Sequence, residues 1–255
     1  MNRYALYTSV FGGFEKVWAP LDHSKSVTRY VVSDSPDRVP GWDSTVIPAP
    51  LEKSPRLSNR KAKILFHEQL THTEATLYVD ANVRPMGDLS SIFAELTASG
   101  SDLALYPHYT RSSVRAEAEA CLQRGKVRYP DRVPTELDLY SKEGFPDDAG
   151  LWEGSVIFKN HQSPKLAAAM NEWWELYSRF ENRDQFSLPF IIWKHGLTVL
   201  NLDSLSHGRE HYFHRVQHSS HGLINRTARY LQARAPESAF WSSLHLAMRR
   251  VSSSP

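Results

Sequence analysis

The stretch Leu77-Tyr78-Val79-Asp80-Ala81-Asn82-Val83 decides how this chain reads. Its apolar and aromatic residues describe a buried strand, and the run stops at a carboxylate. A second oxygen-bearing side chain follows two residues later. In an open α/β sheet, ligands gather at the carboxyl ends of strands. Asp80 at such an end, with Asn82 assisting, could hold a hard cation, Mg²⁺ or Mn²⁺, which would neutralise a diphosphate. Asp and Asn are also common in plain strand-ending turns, so the stretch alone leaves both readings open.

Outward from it, further strands are expected at Tyr4–Val10 and at residues 29–33, 45–47, 76–80, 102–106, 155–158 and 197–202. Helices fall between them. Ser58 is placed to cap one running to about Leu70, Asp88 one ending before Gly100, and Ser112 or Ser113 one ending before Gly125. Ser163-Pro164 reads as a cap with proline at the first helical position. The helix after it lines up Leu166, Met170, Trp173, Tyr177 and Phe180 on one face, a core stripe. Strands alternating with helices predict an α/β fold with a mostly parallel central sheet flanked by helices. Residues 125–150, rich in Pro, Asp and Arg, read as a surface excursion. Residues 223–250 read as helical, and no internal repeat is present.

The composition narrows the class. The chain has 255 residues, 41% hydrophobic and 23% charged, enough for a real core without staples. One cysteine, Cys121, excludes a disulfide framework and suits a reducing compartment. Net charge is only +2 and there is no Lys/Arg block, so no nucleic-acid partner is expected. No apolar run approaches the roughly 18 residues of a membrane span. The amino-terminal residues lack the apolar core of a secretory signal, so a cytoplasmic location is expected.

Several further segments bear on chemistry. Gly12-Gly13 after the first strand would let a ligand approach the backbone, or simply make a turn. There is no G-x-G-x-x-G, no Walker A and no G-x-S-x-G. On the helix from Ser58, Arg60, Lys63 and His67 fall on one face, which could grip phosphates or simply be a solvated helix face, the commoner role of such charges. His67 and His72 are one residue too far apart for the zinc-protease spacing. Asp184 and Gln185 open a helix and could bond sugar hydroxyls, or serve only as helix-start residues, where Asp is favoured. His207, His211, His214, His218 and His221 would form one stripe on a continuous helix, but the intervening Gly and Ser residues argue against such a helix. One of these histidines near a diphosphate is the better reading.

Taken together, the motifs resemble a known family. It is the glycosyltransferase-like domain, once of unknown function, of plant mucilage-type and alkaline-ceramidase-labelled proteins and their bacterial relatives. The residues carrying the resemblance are Tyr7-Thr8-Ser9-Val10-Phe11-Gly12-Gly13-Phe14, Arg60-x-x-Lys63-x-x-x-His67, Tyr78-Val79-Asp80-Ala81-Asn82-Val83 and Tyr106-Pro107-His108-Tyr109-Thr110-Arg111 leading into Glu117-Ala118-Glu119-Ala120. Later come Gly150-Leu151-Trp152-Glu153-Gly154-Ser155-Val156-Ile157-Phe158 and Asn182-Arg183-Asp184-Gln185-Phe186-Ser187-Leu188-Pro189-Phe190. Order and spacing agree over about residues 4–200.

The resemblance implies a GT-A type fold, expected over residues 1–205; the many His and Arg residues after Leu205 mark residues 206–255 as a helical extension expected to pack on it. It implies sugar transfer from a nucleotide-diphosphate donor to a glycan or lipid-linked glycan acceptor. Thr8, Phe11, Gly12, Gly13, Arg60, Lys63, His67, His108 and Arg111 are then donor-side candidates, and Asp80, Asn82 and His214 metal candidates for Mn²⁺ or Mg²⁺. His108 and Arg111 could instead cap the helix after them. Glu153 and Asp184 are candidate bases in an inverting route. The Asp184-Gln185 pair resembles one in some retaining families and tilts the reading toward retention. A metal-dependent, ceramidase-like hydrolase and a non-catalytic glycan-binding module are the rival classes. The carboxyl-terminal Phe240, Trp241, Leu244, Leu246, Met248, Arg249 and Arg250 suit either contact with an anionic membrane or a helix docked on the core, the latter favoured.

Overall fold

The computed structural model describes residues 2–205, 209–218 and 223–252. The strands are β1 (Tyr4–Val10), β2 (Leu21–Asp22), β3 (Val27–Ser33), β4 (Ser44–Val46), β5 (Ala75–Val79), β6 (Val83–Gly87), β7 (Leu103–Pro107), β8 (Trp152–Asn160), β9 (Val199–Asn201) and β10 (Phe213–Arg215). The helices are α1 (Pro55–Leu65), α2 (Leu89–Ala98), α3 (Val114–Gln123), α4 (Val133–Lys142), α5 (Leu166–Phe180), α6 (Asp184–Lys194), α7 (Arg209–Tyr212), α8 (Leu223–Arg234) and α9 (Ala239–Ser252).

A seven-stranded sheet runs β4-β3-β1-β5-β8-β7-β9, and β10-β6-β2 form a smaller one. All pairings in the large sheet are parallel except those of β8, which is antiparallel to both β5 and β7. The reason lies in the connection. His108 N donates to Leu151 O at 2.8 Å, so the chain re-enters the sheet at the end where β7 left it. A strand that starts there must run back.

Both faces of the sheet are covered, which is why β5 is buried at every position and β1 at all but its last, rather than alternating. Ala5 and Tyr7 of β1 face a core built with Met170, Trp173, Phe186 and Phe190 from α5 and α6. Tyr4 and Leu6 face the opposite core, with Ile92, Phe93 and Leu96 from α2 and Phe213 from β10. The expected α5 stripe, Leu166 through Phe180, is buried throughout.

Asp88 and Ser113 cap α2 and α3 as expected. Helix α1 starts earlier than expected. Ser54 is its cap, accepting from Leu57 N, with Pro55 in the first turn. Ser58 lies inside the helix, its hydroxyl accepting from Glu52 N at 2.9 Å. Helix α5 begins at Leu166, after a turn in which Ser163 Oγ accepts from Lys165 N. The stretch read as a surface excursion contains α4, whose Val133, Glu136 and Tyr140 are buried. Tyr140 stacks on Phe190 with ring centroids 4.5 Å apart, so aromatic packing outweighs the polar composition around it.

The carboxyl-terminal segment is bonded to the main body. Arg84 of β6, buried, donates to Ala233 O at 2.6 Å and pairs with Glu237 at 2.9 Å. Helix α9 leaves Phe240, Leu244 and Leu246 exposed. Among the described residues no helix is long and apolar enough to cross a membrane.

Candidate active site

A cleft of about 800 Å³ opens where the carboxyl ends of β1, β5 and β7 meet the start of β8, helix α1 and the first turn of α6. Its lining holds eight Lys and Arg residues against five Asp and Glu. That imbalance favours an anionic ligand.

A buried ion-pair network organises one side. Lys63 Nζ bonds the Asp184 carboxylate and lies 3.6 Å from Asp80 Oδ1, while Arg60 Nε lies 3.4 Å from Asp184 Oδ1. Burial alone would push the Asp184 carboxyl up, but the charges of Arg60 and then Lys63 overcome it and hold the group well below the usual carboxylate range. Tyr78 OH donates to Asp80 Oδ1 at 2.8 Å. Asn59 links the first strand to α1, donating to Ser9 O and accepting from Arg60 Nη1, each at 2.8 Å. Gly154 fits between: a Cβ there would lie 3.0 Å from Lys63 Nζ. It sits where the β7–β8 register shifts, an irregularity of the kind found beside active sites.

A second cluster surrounds Glu117, which is 2% exposed. Arg111 Nε bonds its carboxylate, Arg183 Nη2 lies 3.8 Å away, His108 Nε2 3.6 Å away, and Cys121 Sγ donates to it at 3.1 Å. His108 Nδ1 accepts from the backbone N–H of Thr110 and Arg111, so this ring also shapes its own loop. Burial, together with Arg111 and Arg183 and against the pull of Glu117, lowers its pKa. Gln185 is bonded at both ends, to Trp152 O and from Arg183 Nη2.

Of the expected residues, Phe11, Gly12, Arg60, Lys63, Asp80, Asn82, His108, Arg111, Glu153, Asp184 and Gln185 line this cleft. Four do not. Thr8 is fully buried on β1, with Ser9 and Val10 lining the cleft instead. Gly13 lies outside the lining; Gly12, at φ +66°, sits against Pro55 and donates its N–H to Asp34. His67 lies past the end of α1 at Leu65, in a 3-10 turn over Phe66–Gln69. It is 4% exposed and outside the cleft lining. His67 instead packs against His161, and burial, Lys159 and His161 lower its pKa to about 2.

His214 is the fourth. Its Nε2 lies 2.8 Å from Gln232 O, an acceptor, so that nitrogen carries the proton and cannot ligate a metal. The histidine stripe does not form, because α7 gives way to β10 at Phe213. His218 faces Glu15, and His207 and His221 lie outside the described residues.

Asp80 and Asn82 share one turn facing the cleft, and among the described residues no third His, Cys, Asp or Glu completes a metal cage with them. Two oxygen donors suit a Mg²⁺-type cation that draws its other ligands from phosphate and water. Asn82 is also engaged elsewhere: its Nδ2 donates to Val216 O at 2.9 Å.

Glu117, Gly154 and Arg215 also line the cleft, beyond the residues expected from the sequence. Glu117 carries a signal in hindsight. It falls on the buried stripe of α3 with Val114, Ala118 and Cys121, where a charged residue needs a partner. Gly154 stands inside the motif at residues 150–158, but its closeness to Lys63 and Asp184, like the contacts of Arg215, comes from distant segments.

Among curated proteins, no sequence matches this chain. Among solved structures, the fold is similar to mouse xyloside xylosyltransferase 1 in its apo form, with a TM-score of 0.44, 11% identity, and coverage of 78% of this chain and 85% of that one. The sequence matches the TOD1/MUCI70 glycosyltransferase-like domain over residues 9–210. Most of the chain, including the turn at Asp80 and the ion-paired Asp184, lies within that match, and the protein belongs to the TOD1/MUCI70 glycosyltransferase-like domain family.

Proposed function

We propose that this protein transfers a sugar from a nucleotide-diphosphate donor to the hydroxyl of a glycan or lipid-linked glycan acceptor. The observation that carries this reading is a cationic cleft at the strand carboxyl ends, with an acidic turn, Asp80–Asn82, set among the cations. Family membership supports the transferase class. In this reading Asp80 and Asn82 would hold Mn²⁺ or Mg²⁺ together with the diphosphate, and the cation would offset the charge that grows on the leaving group.

We favour retention of anomeric configuration. Asp184 is a poor base, because Arg60 and Lys63 hold its carboxyl ionised far below neutral pH. Glu153 is engaged by Arg215 at 2.9 Å. With neither carboxylate poised to take a proton, the donor's own phosphate oxygen accepts it. The acceptor oxygen bonds to the anomeric carbon on the face the phosphate leaves, the sugar–phosphate bond breaks, and the acceptor proton ends on the leaving phosphate. Asp184 acts here by fixing Lys63 and Arg60 beside Asp80.

The test is a thermal-shift panel of nucleoside diphosphates and nucleotide sugars, each with and without Mn²⁺ or Mg²⁺. A rise in melting temperature with one nucleotide, larger with metal, is the expected result. No shift with any member for the folded protein would overturn the reading.

A further inference from the structure

The match to the family ends at residue 210, but the cleft continues past it: Arg215 and His218 also line it. Arg215 ends β10, which pairs antiparallel with β6 so that Arg215 stands opposite Val83, the residue after the Asp80–Asn82 turn. The next residue is locked to that turn in both directions. Val216 N donates to Asn82 O at 2.8 Å and Asn82 Nδ2 donates to Val216 O at 2.9 Å. The backbone carrying Arg215 is therefore fixed against the acidic turn.

Its side chain is held differently from those of Arg60, Lys63 and Arg111. Arg60 and Lys63 are committed to the buried Asp184, and Arg111 to the buried Glu117. Arg215 is 53% exposed, and its Nη2 donates to Glu153 Oε2 at 2.9 Å and Ser155 Oγ at 2.7 Å. A guanidinium has five N–H donors in a planar fork, so an exposed one held through a single nitrogen keeps most of them available. Its link to Glu153 also screens that carboxylate from an incoming anion.

We propose that Arg215, supplied by the segment beyond the family match, binds the diphosphate of the donor and offsets its charge as the sugar leaves. The inference rests on reading the cleft as a nucleotide-diphosphate-sugar site. A fork-shaped donor matches phosphate oxygens in pairs, and its benefit grows as the leaving group becomes more negative.

The experiment titrates the full chain, by calorimetry with Mn²⁺ present, with the nucleoside diphosphate that gives the largest thermal shift and with the matching nucleoside lacking phosphates. Wild type, Arg215→Ala and Arg215→Lys are compared. Arg215→Ala is expected to weaken diphosphate binding about tenfold or more, as for a lost hydrogen bond to a charged group. Arg215→Lys, which keeps the charge without the fork, should fall between and preserves a readout if the alanine variant folds poorly. Nucleoside binding should be unchanged in both. Equal diphosphate affinity in wild type and variants would overturn the role of Arg215 while the cleft reading stands. Equal weakening of nucleoside and diphosphate would reduce it to a structural role. A wild-type protein that binds no nucleoside diphosphate overturns both.

Discussion

Gly154 and Lys63 occupy adjoining space: a Cβ on residue 154 would sit 3.0 Å from Lys63 Nζ and 3.4 Å from Asp184 Oδ2. The absent side chain on β8 is what lets the lysine amine reach the carboxylate from α1. Gly154→Ala forces the amine aside by a few tenths of an ångström. The expected cost is about 1 kcal/mol of stability, at the low end for overpacking, with a several-fold loss of nucleotide affinity. Urea unfolding and nucleotide titration of the same variant check both. Unchanged affinity would separate this ion pair from donor binding.

Asp184→Asn leaves Lys63, 2% exposed at its side chain, and Arg60 without their main counter-charge. Removing one partner of a buried ion pair typically costs about 3–5 kcal/mol. The pH dependence has a defined sign. The folded pKa of Asp184 lies below its unfolded value, so its stabilisation is complete above about pH 4 and is lost as the pH falls below it. Urea midpoints between pH 3 and pH 7 should show that acid limb in wild type and a shallower one in Asp184→Asn (pH range set by about 3.9 for a free Asp).

Asn82→Asp would complete an Asp-x-Asp sequence, yet it is expected to weaken the protein. The Nδ2 donor to Val216 O would become a carboxylate oxygen facing a carbonyl oxygen 2.9 Å away. Loss of that bond with repulsion in its place costs on the order of 1–3 kcal/mol. Hydrogen exchange should show faster opening of residues 213–217 in the variant, and nucleotide binding should fall with it. Protection equal to wild type would show that the bond does not hold the segment.

Glu136 runs opposite to Asp184 in its pH response. Burial raises its pKa from 4.5 to about 7, only partly offset by the bonds from Tyr140 OH and Asn182 Nδ2. The folded state prefers the protonated acid, so the contribution is complete below about pH 4.5 and lost as the pH rises to about 7. Glu136→Gln keeps a neutral group that can bond both neighbours. Its stability should hold between pH 5 and pH 8 while that of wild type declines, measured by urea unfolding at the two values. A parallel decline in both proteins would assign the loss to another group.

Legibility followed the range of the interactions. The turn at Asp80 was readable because a strand end and its ligand-bearing residues are contiguous in the chain. Asp88 and Ser113 were readable as caps for the same reason. The place of His67 is not legible in the sequence because its ring is buried against His161, which comes from a distant segment. The direction of β8 was missed because a parallel and an antiparallel buried strand carry the same apolar pattern.

The sequence by itself determined the alternation of strands and helices, the doubly buried sheet, the α5 core stripe and the acidic turn at the end of β5. These follow from periodicity and from turn chemistry within a few residues. Only the tertiary structure decided which charges meet. Lys63 and Asp184 are 121 positions apart, Asn82 and Val216 134. A local pattern shows that a charge is present, but its partner is set by which distant segments the packed core brings together.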